Sequence, residues 1–301
     1  MSRRHTVQHL SPTLQNLSII WGFIESDFFT FVVPNTTFGI LGALAGSRLL
    51  DGPDLLRADI LLRVPAVLFF NLYSLLLFDL ANQRTPQSVE EDRINKPWRP
   101  IPSGQISCEQ TRDMMLVTAP LCLGFNHALG VWAEGLLVQV LSYYYNELNG
   151  SSGLQRDVII AISYGLANHT SLQLASGPEA TINFQGQLWI AIISAAVLTT
   201  MHIQDLKDQD GDSKRGRNTL PLVLGDGYCR GALAVLVPFW SLTIVRFWKL
   251  GILCYVFYTV LATLIATRVV GKRGQKEDAK TWRLWCFWHA TLYAMPMLSG
   301  V

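Results

Sequence analysis

The chain has 301 residues, of which 50% are hydrophobic and 15% charged, with a mean hydropathy of +0.27 and a formal net charge of +2. That balance exceeds what one soluble core of this size needs, so water is not the only solvent, and no strongly basic face is left for nucleic acid. Cys108, Cys122, Cys229, Cys254 and Cys286 form no CxxC pair, which argues against a disulfide framework or zinc site and leaves packing thiols.

In chain order, the N-terminus reads MSRRHTVQHLSPTLQN, with basic residues but no apolar h-region, so no cleavable signal peptide is expected. The stretch from Ser11 to Asp27 is amphipathic and carries Trp21, Phe23, Glu25 and Asp27. Residues 1–27 are therefore predicted to form a cytosolic amphipathic segment along the interface, with residues 28–301 the transmembrane domain.

A spanning helix needs about 20 mostly apolar residues. Runs of that kind fall at about 28–49, 60–81, 110–127, 129–148, 156–175, 187–206, 228–247, 250–270 and 281–299. The fold class predicted is all-α, a polytopic bundle of nine transmembrane helices. With nine spans, the N-terminus and every second loop share one side. Of 24 Lys and Arg residues, 19 lie there, and only Arg48, Arg57, Arg63, Arg246 and Lys249 lie opposite. The positive-inside rule puts that richer side in the cytosol.

The loop after the second run, residues 78–104, reads FDLANQRTPQSVEEDRINKPWRPIPSG. Asp79 and Asn82 sit at its membrane boundary, where polar groups are costly unless they serve a site. Glu90, Glu91 and Asp92 add carboxylates, and Arg93, Lys96 and Arg99 add cations. Such a mixture suits a metal-bound diphosphate, which needs oxygens for the metal and donors for the remaining phosphate oxygens.

The loop after the sixth run, residues 205–221, reads DLKDQDGDSKRGRNTLP. Asp205, Asp208 and Asp212 recur at spacings of three and four, which places them on one face of a helical end. Clustered carboxylates repel one another unless a cation sits between them, and Mg²⁺ suits oxygen ligands and bridges to phosphate. A solvated loop is the plainer explanation of such a cluster taken alone.

Polar residues within the runs carry weaker signals. His127, His169, His202 and His289 are expected as hydrogen-bonded packing, with His202, one turn from Asp205, the one to test. Arg156, beside Tyr145 and Asn146 on the same side as the acidic loops, is placed to reach a phosphate. Tyr143, Tyr144, Trp189, Trp285 and Trp288 join Tyr145 as aromatic faces for a passing cation, against the commoner role of aromatics in interface belts.

Together the two loops resemble the UbiA superfamily of membrane-embedded prenyltransferases. The second is similar to DxxDxxGDxxxGxxTLP at Asp205, Asp208, Gly211, Asp212, Gly216, Thr219, Leu220 and Pro221. The first resembles an Asn-containing, Asp-rich motif followed by NKPxRPxPSG, at Asn82, Asn95, Lys96, Pro97, Arg99, Pro100, Pro102, Ser103 and Gly104. It departs from NDxxDxxxD in having Gln83 after Asn82 and then Glu90. In this respect the chain looks closest to fungal UbiA-type terpene cyclases.

The resemblance implies an enzyme that uses Mg²⁺ to ionise an isoprenyl diphosphate. Asn82, Glu91, Asp92, Asp205, Asp208 and Asp212 are expected on the metal, with Asp79 and Glu90 as alternatives in the first loop. Catalysis is expected from Asp205, Asp208, Asp212, Asn82 and Asp92. Substrate binding is expected from Lys96, Arg99, Asn95, Arg156, Tyr145, Lys207 and Arg215.

The expected reaction is cyclisation of farnesyl or geranylgeranyl diphosphate. Transfer to an aromatic or quinone-precursor acceptor is the alternative, and a non-catalytic transporter or lipid-binding protein is a third reading. The expected partners are the diphosphate and the lipid bilayer, with no nucleic acid and no obligate protein partner. The expected location is the endoplasmic reticulum membrane with the site loops cytosolic.

Overall fold

Pro34 has no N–H to donate to the carbonyl of Thr30, four residues back, so a regular helical ladder cannot run through this point. The computed structural model, which describes residues 11–153 and 155–299, shows how the chain responds. A π-helical turn, Phe28–Val32, lets the Val33 amide bond the Phe28 carbonyl five residues back. It joins α1 (Pro12–Asp27) to α2 (Val33–Leu44), and Tyr164 donates its hydroxyl to the Thr30 carbonyl.

The predicted boundary at Asp27 thus falls inside one continuous helical stretch. Phe23 and Ile24 of α1 are buried with Leu75 and Leu80 of α3 (Arg57–Gln83), so this part of α1 packs on the bundle. The predicted N-terminal basic residues Arg3 and Arg4 lie outside the described residues.

Local signals start the next helices. Thr85 caps α4 (Pro86–Asn95) by accepting from the Ser88 amide, with Pro86 in the first turn where its missing N–H costs nothing. Ser107 and Gln110 form a capping box at the start of α5 (Cys108–Ala128). Then follow α6 (Trp132–Glu147), α7 (Gln155–Ser176) and α8 (Phe184–Thr200), the last capped by Asn183.

A 3-10 turn, Met201–Lys207, leads from α8 into α9 (Gln209–Arg215), which ends at Gly216 in the left-handed conformation. The remaining helices are α10 (Leu220–Leu224), α11 (Asp226–Phe247), α12 (Ile252–Gly271), α13 (Gln275–Leu292) and α14 (Met295–Leu298). A two-residue ladder, β1 (Leu50–Asp51) with β2 (Thr181–Ile182), ties the loop before α3 to the loop before α8. Nearby, Arg63 donates to the Ser176 carbonyl at 2.8 Å. The fold is otherwise helical among the described residues, as the hydropathy pattern implies.

The main core joins α2, α7, α8, α11, α12 and α13 through buried side chains such as Phe38, Leu172, Ile193, Val237, Ile265 and Trp288. Buried indoles find partners across helices: Trp285 donates to Thr200 at 3.1 Å and Trp288 to Ser241 at 2.8 Å. Leu62 and Leu253 are 78% and 82% exposed, which suits an exterior solvated by lipid.

Five helical stretches among the described residues are long and apolar enough to cross a membrane. They are Thr13–Leu44, Arg57–Gln83, Phe184–Lys207, Asp226–Phe247 and Ile252–Gly271. The other predicted runs coincide with α5, α6, α7 and α13, which are shorter or more polar. α6 has only 16 residues, and α13 opens with QKEDAK.

Candidate active site

The two acidic segments meet. α4 packs against α9, and the contact requires a glycine: a β-carbon on Gly211 would lie 2.2 Å from Asn95 Nδ2. The Asn95 amide donates across the gap to the Asp208 carbonyl at 3.3 Å. Glu91 completes the junction by accepting from Arg215 at 2.8 Å and pairing with Arg217 at 3.3 Å. Segments more than a hundred residues apart thereby form one rim.

That rim borders a cavity holding about 1240 Å³ of empty space, its open mouth included. Its lining carries Asp27, Asp79, Glu91, Asp205, Asp208 and Asp212 against Lys96, Arg99, Arg156 and Arg217. The same lining includes apolar and aromatic side chains, among them Phe31, Leu75, Phe78, Leu141, Ile159 and Trp282. A lining that combines charged with apolar and aromatic groups suits an amphiphile with an anionic head.

Of the residues predicted from sequence, Asn82, Glu91, Asn95, Lys96, Arg99, Tyr145, Arg156, Asp205, Asp208 and Asp212 line this cavity. Asp92, Lys207 and Arg215 do not. Asp92 is 3% exposed, and both its oxygens accept from Arg99 at 3.1 Å. Lys207 is paired with Asp208, and Arg215 is turned to Glu91. His202 is buried outside the cavity, and Trp189, Trp285 and Trp288 pack in the core.

The predicted single helical face of Asp205, Asp208 and Asp212 differs in form. Asp205 lies in the 3-10 turn, Asp208 stands at the junction, and Asp212 lies in α9. Among the described residues, no three acidic, His or Cys groups converge as a ready metal cage. Each of these three carboxylates is matched by a cation instead. Arg156 grips Asp205 through two bonds of 2.9 Å, Lys207 pairs with Asp208, and Arg217 approaches Asp212 at 3.3 Å.

The donor set nevertheless fits Mg²⁺. Six lining carboxylates face four lining cations, and the buried oxygens Oδ2 of Asp212 and Oδ2 of Asp79 have no hydrogen-bond partner. Mg²⁺ takes one or two carboxylates and completes its shell with water and phosphate oxygens, so it does not need a preformed cage. Burial pushes the Asp212 carboxyl up to about 6 despite the pull of Arg217. Burial raises Asp92 as well, with Arg99 and Lys96 drawing it back.

Sequence reasoning did not assign Asp27, Arg217 or Trp282 to the site. Asp27 reaches the mouth because the π turn ends α1 there; its Oδ2 accepts from Arg99 at 3.0 Å, with Lys96 at 4.0 Å. Arg217 stood in the motif itself, two residues after Arg215, and was the one of these that the sequence could have offered.

Fold and site together define a membrane-type helical bundle with a cavity lined by both charged and apolar side chains. The chain belongs to the UbiA prenyltransferase family, whose model matches residues 40–291. It is 32% identical over 297 residues to a somaliensene A/B synthase from Streptomyces somaliensis, covering 95% of this chain and 94% of that protein.

Two proteins of Hericium erinaceus are each 28% identical. One is a diterpene cyclase, with 97% of this chain and 91% of that protein covered. The other is a polyprenyl transferase, with 90% of this chain and 91% of that protein covered. Among solved structures, a UbiA homolog from Archaeoglobus fulgidus bound to GPP and Mg²⁺ matches with a TM-score of 0.63 at 14% identity, over 93% of this chain and 99% of that one. At that identity the likeness shows the fold.

Proposed function

We propose that the chain is a Mg²⁺-dependent terpene cyclase that ionises farnesyl or geranylgeranyl diphosphate and closes the carbocation on the substrate's own double bonds. The observation that carries this reading is the joining of two acidic, Arg-rich segments at the mouth of one apolar, aromatic chamber. The relatives named as a synthase and a cyclase, aligned over more than nine-tenths of their lengths, favour cyclisation.

In this reading Asp205, Asp208 and Asp212 hold Mg²⁺ from the second segment, with Asn82 and Glu91 from the first. Bound Mg²⁺ supplies Lewis-acid stabilisation of the charge that grows on the leaving diphosphate. Lys96, Arg156 and Arg217 donate to its free oxygens, and Asn95 holds the two segments together. Arg99, anchored by Asp92, braces Asp27, while Lys207 and Arg215 support the rim from behind.

The allylic C–O bond breaks with both electrons leaving on the diphosphate. Phe31, Phe78, Tyr145 and Trp282 face the cation, and the apolar wall keeps bulk water from quenching it. The π electrons of a double bond in the same chain then form the ring bond, and a proton is lost or a water captured. Nine spans would put both segments on the cytosolic side, in the endoplasmic reticulum of a eukaryotic host.

A second reading is transfer of the isoprenyl group to an aromatic acceptor; the polyprenyl transferase at 28% identity favours a transfer reaction. The two are separated by supplying detergent-purified protein with Mg²⁺ and each diphosphate alone. A terpene hydrocarbon or alcohol by mass spectrometry supports cyclisation. Turnover that requires an added aromatic acceptor overturns it in favour of transfer.

A further inference from the structure

We infer that the metal-binding pair of the first segment is Asp79 with Asn82, at the end of α3, and that Asp92 is a positioning residue for Arg99. The inference rests on the metal–diphosphate reading above and changes the ligands it assigns there.

The acids that follow Asn82 are already engaged. Both oxygens of Asp92 are taken by Arg99, and its side chain is outside the cavity lining. Glu91 lines the cavity, but its two oxygens hold Arg215 and Arg217 and so join α4 to the second segment. Asp92 would have to turn away from Arg99 to reach the cavity, and moving Glu91 would strip Arg215 of its carboxylate and open the junction between the two segments, which is unfavourable.

Asp79 is in the opposite situation. It is 1% exposed and lines the cavity. Its Oδ1 accepts one long bond from Gln83 at 3.2 Å, and its buried Oδ2 has no partner. Among the described residues no Lys or Arg lies within ion-pair distance of it. A bare carboxylate oxygen in such a place is costly unless it keeps its proton or a cation reaches it.

Gln83 also donates to the Phe23 carbonyl at 2.9 Å, which fixes Asp79 against α1. Asn82 follows by three residues on the same helix and also lines the cavity. Its amide nitrogen is spent on Asn146 at 2.9 Å, leaving its carbonyl oxygen, a hard donor suited to Mg²⁺. Two oxygens of the right type therefore stand one turn apart at the mouth. Arg99, held by Asp92, also donates to Asp27 at 3.0 Å and so braces the same side of the opening.

The test is Mn²⁺ binding to the full-length protein in detergent, followed by electron paramagnetic resonance with inorganic pyrophosphate present. Removing a metal ligand costs at least as much affinity as the roughly tenfold that losing a supporting partner costs. Asp79→Asn is therefore expected to weaken Mn²⁺ about tenfold or more, and Asp92→Asn to leave the affinity unchanged while lowering the melting temperature. Asp79→Cys is expected to gain a thiolate-to-Cd²⁺ charge-transfer band above the background of the five native cysteines.

Wild-type Mn²⁺ affinity in Asp79→Asn, or its loss in Asp92→Asn, overturns the inference. If Asp79→Asn fails to fold, the Asp79→Cys band and the Asp92→Asn titration decide it. Failure of the wild-type chain to bind Mn²⁺ with pyrophosphate would instead sink the metal–diphosphate reading itself.

Discussion

The amide of Asn95 fills the space that a side chain on residue 211 would need, its Nδ2 only 2.2 Å from where a β-carbon would sit. Gly211→Ala must swing Asn95 away and break its bond to the Asp208 carbonyl. Overpacking of this kind costs about 1–3 kcal/mol. A melting curve should show that loss, together with a deeper fall in diphosphate turnover. Adding Asn95→Ala should restore the stability and leave turnover low; recovery of both would show that the tie has no role in the site.

Arg156 and Asp205 form a doubly bonded pair whose side chains are only 8% and 2% exposed. Arg156→Met strands a buried carboxylate, and loss of one partner from such a pair costs about 3–5 kcal/mol. The thermal midpoint should drop accordingly, and Asp205→Asn in the same background should regain part of it. A single variant as stable as wild type would mean that water already reaches Asp205.

The Asp212 carboxyl gives a pH signature. In the folded, metal-free protein it keeps its proton up to about 6, whereas the unfolded chain gives it up near 3.8. Between those values the folded state carries the extra proton, so the contribution of Asp212 to stability in EDTA falls as pH rises through this window and levels off above it. Mg²⁺ needs the carboxylate, so stabilisation by Mg²⁺ should be weak below about pH 6 and grow above it. Melting temperatures with EDTA and with Mg²⁺ measure both effects. Asp212→Asn should remove the part of both curves that falls between those pH values.

Trp282 lines the chamber and stacks on Trp285 with ring centroids 5.0 Å apart and planes 12° from parallel. Trp285 stacks in turn on His289 at 5.0 Å. This stack backs the ring that lines the cavity. A cation–π contact is worth about 0.5–2 kcal/mol, so Trp282→Leu should shift product toward early-quenched, acyclic alcohols and leave the Mg²⁺ requirement unchanged. An unaltered product ratio by gas chromatography would remove Trp282 from cation stabilisation.

Much of this was legible in the sequence, for reasons of length and spacing. The apolar runs mark the long helices, and the invariable geometry of a helix end puts Asn82 and Asp205 at matching exits. The ion pairs were not legible. Nothing in the spacing of Asp92 and Arg99 tells that they bind each other and turn inward, or that Glu91 is held by Arg215 and Arg217 from the other segment. Asp208 misled in a different way: the change from 3-10 to α-helix at that residue breaks the regular face that its spacing from Asp205 and Asp212 suggests. Asp27 was hidden because its role comes from where α1 packs.

The π turn at Phe28–Val32 sets the angular phase of everything before it. Each residue of an α-helix advances the chain by about 100°, so removing one residue from this turn would rotate Asp27 by about that angle, away from Arg99. Phe23 and Ile24 would leave α3 in the same motion. The segment is thus a gauge of length: substitutions there are tolerable where side-chain volume is kept, but a one-codon deletion should abolish both the packing of α1 and the closure of the rim.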